Sequence, residues 1–236
     1  MIFITLMWVI SSVILCGWIY IFSKTKAQTI FHCVAVLWAK SILGALQIWK
    51  VKCYNSHQSV GKNNYLVIAN HQSILDIIVA LATLPIPFKF MAKKELFSIP
   101  FLGWHMTLAG YIPVDRSSPE GRKAAAQKAK DCLRDGGSLL MFPEGTRSLD
   151  GQILPFKPGA FKLAQNEHIP LLPTVIEGTK DAIRKKTWKV TRNVTIQVNI
   201  EKPIMLTDDE EAMTEKIQEI RDQMIGDLAH LRSEPL

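Results

Sequence analysis

Tyr65-Leu66-Val67-Ile68-Ala69 runs directly into Asn70-His71-Gln72-Ser73-Ile74-Leu75-Asp76, and this stretch decides the fold class. A short unbroken apolar run fits a strand buried on both faces, and the apolar spacing over 73–84, stopped by Pro85 and Pro87, fits a helix. The pattern recurs down the chain. Strand signals lie at 88–91, 111–114, 139–142, 171–176 and 190–200, and helical ones at 99–108, 158–166 and 208–231. A further helix is expected up to Arg134, with Ser117 or Ser118 as its cap, Pro119 in its first position, and Gly136 and Gly137 at its end. Alternating strands and helices predict an α/β domain over residues 51–236, its mainly parallel sheet covered by helices on both faces.

Composition agrees with a folded domain and narrows its partners. The 236 residues are 48% hydrophobic and 21% charged, which excludes disorder and supplies a sizeable core. Lys and Arg number 28 against 21 Asp and Glu, a net charge of +7 with a pI near 9.2. That excess favours anionic partners: lipid head groups, phosphorylated substrates, acidic proteins or nucleic acid. Cys16, Cys33, Cys53 and Cys132 never form C-x-x-C, which argues against a zinc ribbon and for a reducing compartment.

The first 50 residues differ from the rest and predict a separate membrane-associated segment of two helices. Residues 1–22 contain no charge, and as one helix they would reach roughly 33 Å, enough for a hydrocarbon core. Nothing basic precedes the run and no A-x-A site follows it, against a cleaved signal peptide. Over 27–50, Gln28, His32, Lys40, Gln47 and Lys50 fall within an arc of about 120°, the pattern of an amphipathic helix at a bilayer interface or on the domain. Lys retention puts the chain after Lys50 in the cytoplasm, on the inner face of the cell membrane.

In parallel sheets chemistry collects in the loops beyond the carboxyl ends of strands. His71 stands at one such end, and Asp76, five positions on, can fold back from the first helical turn to orient an imidazole acting as general base. A second loop, 142–148, offers Gly145 for a tight turn and Arg147 as a planar fork for phosphate; a third offers Arg116. Neither G-x-S-x-G nor C-G-x-C-W occurs, so the base would have to activate a hydroxyl belonging to the substrate.

Four blocks in order, N-H-Q-S-I-L-D (70–76), G-Y-I-P-V-D-R (110–116), F-P-E-G-T-R-S (142–148) and I-P-L-L-P (169–173), resemble those of the glycerolipid acyltransferases. The likeness is closest to the bacterial branch that acylates lysophosphatidic acid. K-K-E-L (93–96), I-P-F-L-G (99–103) and F-K-P-G-A (156–160) add to it, and the N-terminal helices resemble the family's membrane-binding motif. Residues 206–236 carry no motif. The resemblance implies transfer of a fatty acyl group from acyl carrier protein or coenzyme A to the sn-2 hydroxyl of lysophosphatidic acid, giving phosphatidic acid in phospholipid biosynthesis. It implies His71 as base and Asp76 as its orienter, with Arg116, Glu144, Gly145, Thr146 and Arg147 holding the glycerol phosphate. Ile169, Pro170 and Pro173 would line the acyl region, and Lys93 or Lys94 would assist the thioester oxyanion. No metal, resident cofactor or nucleic acid is expected; the thioester is a co-substrate and an anionic membrane the partner. The alternatives are a sibling acceptor, such as glycerol 3-phosphate or another lysolipid, and a lipid-binding protein without catalysis.

Overall fold

The computed structural model describes residues 2–45, 49–55, 60–61, 63–183, 190–207 and 212–233. Seven strands form one sheet: β1 (Trp49–Tyr54), β2 (Leu66–Ala69), β3 (Phe88–Lys93), β4 (Ile112–Val114), β5 (Ser138–Met141), β6 (Leu171–Glu177) and β7 (Val194–Ile200). Their order across the sheet is β1-β7-β6-β2-β5-β3-β4. From β6 to β4 every neighbour is parallel; β7 runs antiparallel to β6, and β1 is parallel to β7. The expected mainly parallel α/β sheet is therefore present. Every residue of β2 and of β6 is buried, as central strands covered on both faces require, the apolar run of β2 and, in β6, the polar Thr174 and Glu177 alike.

The helices are α1 (Ile2–Cys16), α2 (Ile19–Phe22), α3 (Lys24–Ala45), α4 (Leu75–Thr83), α5 (Leu102–Leu108), α6 (Pro119–Arg134), α7 (Gly159–Asn166), α8 (Thr179–Ala182) and α9 (Met213–Ser233). α3, α4 and α5 cover one face of the sheet and α6, α7 and α9 the other. α6 starts as expected: Ser118 Oγ accepts from the Gly121 amide at 2.9 Å, and Pro119 follows the cap. A 3-10 turn, Lys94–Ser98, takes the chain from β3 towards α5. The expected closing helix is α9; residues 208–211, where that signal begins, lie outside the described residues.

The N-terminal segment departs from expectation in three ways. The uncharged run is broken at Gly17 and Trp18, so α1 has 15 residues, about 22 Å at the helical rise and short of a bilayer core. Among the described residues the helix long and apolar enough to cross a membrane is instead Lys24–Gly44, with 39% of its apolar window buried inside the protein. Ala27, Phe31, Ala35 and Ala39 recur every fourth residue on the face packed into the core, against α4. His32, expected on the polar face, is buried with its ring edge-on to Phe88, centroids 5.3 Å apart. Finally, Trp49 and Lys50 belong to β1, not to a helix. Trp-Lys-Val-Lys-Cys-Tyr alternates with period two, and β1 pairs in register with β7 from Trp49 opposite Val194.

Phe31 has no exposed surface and meets His105 edge-on at 5.2 Å between ring centroids. Phe31→Ala should cost about 3–5 kcal/mol of unfolding free energy, read by urea denaturation in detergent. A loss below about 1 kcal/mol would mean that α3 is an appended membrane element rather than part of the core.

Candidate active site

β2 and β5 are parallel neighbours, with Leu66 opposite Leu139, so the loops that follow them open on the same edge of the sheet. Asn70 fixes the first loop to β6. Its Nδ2 donates to the Ile176 carbonyl and its Oδ1 accepts from the Ile176 amide, both at 2.8 Å. The chain then turns, and Asp76 comes back beneath His71 from the first turn of α4 with Oδ2 2.7 Å from the imidazole Nδ1. Asp76 has no exposed surface, while 18% of the His71 side chain is exposed. The same Oδ2 accepts from the amides of Gln72 at 2.7 Å and Ser73 at 2.9 Å, and Oδ1 accepts from the Thr179 hydroxyl at 2.5 Å. The His71 ring stacks on Phe142, centroids 4.0 Å apart and planes 16° from parallel. With Nδ1 committed to the carboxylate, Nε2 is the nitrogen left to exchange a proton.

Glu144 has a different position from the one expected. It is 3% exposed, its Oε1 accepts the His71 amide at 2.7 Å, and its Oε2 accepts the Leu154 amide at 3.1 Å. Burial pushes its carboxyl up to about 7, more than those two backbone hydrogen bonds pull it down; nearby Asp76 adds to the rise and Arg221 opposes it. A buried carboxylate with both oxygens committed positions the His71 backbone and is unsuited to gripping a phosphate. The Ser148 amide donates to the His71 carbonyl at 2.7 Å, so the loop 142–148 holds His71 on both sides.

Gly145 turns with φ +70°, where its carbonyl accepts from Arg116 at 3.3 Å. A Cβ there would lie 2.9 Å from the ammonium of Lys157, which belongs to F-K-P-G-A. Arg116 and Lys157 thus converge on one glycine, with Thr146 exposed and Arg147 half-buried beside it. Lys93 and Lys94 are exposed at the end of β3; Lys93 pairs with Glu95 at 3.0 Å and Lys94 with Asp115 at 3.5 Å.

Three expected residues are not brought to this edge. Ile169 and Pro170 precede β6, whose Leu171 is in register with Leu66 at the start of β2, so they lie at the opposite edge of the sheet from His71. Pro173, opposite Ile68 inside β6, alternates onto the face of Leu171 and Val175, towards α7 and α9. An apolar run in a central strand serves the core first. Thr179 and Lys157 are the residues sequence reasoning missed. Thr179 follows Gly178, whose φ of +86° and 2.3 Å approach of a Cβ to the Thr195 carbonyl explain the glycine; a Gly-Thr at a strand end was the available signal.

The family model described as Acyltransferase matches residues 50–177. A 1-acyl-sn-glycerol-3-phosphate acyltransferase of Limnanthes douglasii is 42% identical over 176 residues, 71% of this chain and 60% of that relative. A protein of the same name from Saccharomyces cerevisiae is 38% identical over 184 residues, 75% of this chain and 60% of the relative. The chain therefore spans less than two thirds of the length of these curated relatives. The crystal structure of the 1-acyl-sn-glycerophosphate (LPA) acyltransferase PlsC from Thermotoga maritima superposes with a TM-score of 0.79 at 25% identity, covering 100% of this chain and 97% of that one.

A carboxyl raised to about 7 in the fold, against an ordinary value of 4.5, holds a proton that the unfolded chain releases. Its contribution to stability is complete below pH 4.5 and is lost as the pH rises through 7, by about 3 kcal/mol. Glu144→Gln should remove that slope, so the wild type loses stability relative to the variant between pH 5 and about 8. Urea denaturation across that range measures it, and a constant difference between the two proteins would contradict the assignment.

Proposed function

Because the chain belongs to the acyltransferase family, we propose that it transfers a fatty acyl group from a thioester to the sn-2 hydroxyl of lysophosphatidic acid, forming phosphatidic acid. The observation that carries the proposal is the 2.7 Å contact between His71 Nδ1 and the buried Asp76 carboxylate. Nε2 of His71 takes the acceptor's hydroxyl proton as the oxygen attacks the thioester carbonyl; the tetrahedral intermediate collapses and the thiolate leaves, recovering the proton from the imidazolium. Asp76 fixes the tautomer and stabilises that imidazolium. Arg116, Arg147 and Lys157 grip the acceptor phosphate around the turn at Gly145 and Thr146, Arg by its planar fork and Lys as a point charge. Glu144 keeps the His71 backbone in place. The donor is acyl carrier protein or coenzyme A, and both are anionic partners suited to a chain of net charge +7. No resident cofactor enters these steps.

Thiol release tests the proposal. With an acyl thioester and lysophosphatidic acid, His71→Ala should fall by at least about 100-fold, the smaller end of what a positioned general base supplies. Asp76→Asn should be less damaging than that, because it could keep the orientation and lose only the charge. A folded wild-type chain that releases no thiol with any lysophospholipid or glycerol 3-phosphate would instead be a lipid-binding protein.

The same reading sets the chain on the cytoplasmic face of an anionic membrane. Trp18, just before α2, and Ile21 and Phe22 at its end are 58%, 82% and 77% exposed, an apolar surface suited to lipid. Lys24 and Lys26 follow, each adding about 1 kcal/mol on an anionic leaflet. Replacing Ile21 and Phe22 by Asp should weaken sedimentation with anionic vesicles by about tenfold or more, at unchanged circular dichroism. Undiminished sedimentation would exclude this surface as the contact.

A further inference from the structure

α9 lies outside residues 50–177 and carries no recognisable block. It packs on β6 and β7 through Ile220, Met224, Leu228 and Leu231, all buried. Two of its arginines, Arg221 and Arg232, stand eleven residues apart, which is three turns and about 20° from full alignment. Both reach the loop that follows F-P-E-G-T-R-S. Arg221 donates through Nε to the Leu154 carbonyl at 3.1 Å and through NH2 to the Ile153 carbonyl at 2.8 Å. Arg232 donates through NH2 to the Gly151 carbonyl at 2.8 Å and to Glu177 Oε2 at 3.1 Å.

From these contacts one chain of hydrogen bonds leads to each member of the His71–Asp76 pair. Leu154, gripped by Arg221, donates its amide to Glu144, whose other oxygen holds the His71 amide. Glu177, paired with Arg232, accepts Gln72 Nε2 at 3.0 Å, and the Gln72 amide donates to Asp76 Oδ2. Gly151 turns with φ +81°, and a Cβ there would come 2.2 Å from Lys180 and 3.1 Å from the Arg232 guanidinium. The backbone at this point is kept bare where the arginine approaches.

We infer that α9 braces the dyad, with Arg221 and Arg232 as positioning residues that act on His71 through Leu154 and Glu144 and on Asp76 through Glu177 and Gln72. The inference rests on the proposed role of His71 as base. Each guanidinium offers several donors in a fixed plane, so Arg221 can bridge consecutive carbonyls and Arg232 a carbonyl and a carboxylate; an ammonium supplies only a point charge.

The test uses the full chain with Arg221→Gln, Arg221→Lys, Arg232→Gln and Arg232→Lys, well below the unfolding midpoint. The Gln variants should lose about 10- to 100-fold in kcat, the cost of a small misplacement of a catalytic group, with KM for lysophosphatidic acid changed by less than about threefold. The Lys variants should recover part of the loss. Amide hydrogen exchange should quicken at His71 and Gln72 and remain as in wild type at Leu66, Val67 and Ile68 of β2. Should a Gln variant fail to fold, the Lys variant carries the same measurements. Folded variants with kcat within about twofold of wild type and unchanged exchange at His71 would overturn the inference. So would exchange quickened throughout the sheet, which would make the arginines ordinary supports of the core. Were the wild-type chain to release no thiol at all, the acyltransferase reading would fall, and local exchange at His71 and Gln72 would still decide whether α9 braces this pair.

Discussion

A carboxylate without exposed surface is costly unless its lone pairs are filled, and Asp76 fills them with the His71 imidazole, the Gln72 and Ser73 amides and the Thr179 hydroxyl. Those donors come from two places, the loop after β2 and α8 at the end of β6, while Asp76 itself stands in the first turn of α4. Satisfying one anion therefore ties the chain's direction after β2 to the helix that follows and to the neighbouring strand. Asn70 and Ser73 strengthen the tie by bonding the backbone of Ile176 and Ile183. His71 is left with its rim in solvent and its ring plane fixed against Phe142.

A second buried carboxyl supports the first from the other side. Glu144 joins the loop after β5 to the backbone of His71, and the residues after that loop are in turn held by α9. Burial pushes the Glu144 carboxyl up to about 7, against the pull of its two backbone hydrogen bonds, and the nearby Asp76 adds to the rise. Cationic side chains gather near the same turn, Arg116 and Lys157 converging on Gly145 with Arg147 beside it.

The N-terminal helices serve two environments. α3 gives small residues and Phe31 to the core, and α1 lies against it, tied by the Trp38 indole donating to the Thr5 hydroxyl at 3.1 Å. The same segment leaves Ile14, Trp18, Ile21 and Phe22 outside. This apolar helix pair packs on the α/β domain with one face and exposes apolar side chains on another, so the segment is continuous with the domain.

Local pattern alone was enough for the strand-helix alternation, the cap of α6 and the two strand-end loops carrying His71 and Arg147, because each rests on neighbours in sequence: apolar runs, a Ser-Pro start, a glycine turn. His71 and Asp76 were legible as a pair since five residues of turn and helix bring them together. The direction in which Glu144 points, the role of Thr179, the convergence of Lys157 on Gly145 and the grip of α9 were not, because each depends on a partner between 10 and 103 residues away that only the packing of layers selects. Ile169, Pro170 and Pro173 illustrate the limit from the other side. A conspicuous run in the chain says that a strand is buried, but which end of it meets the active edge is set by its register beside β2.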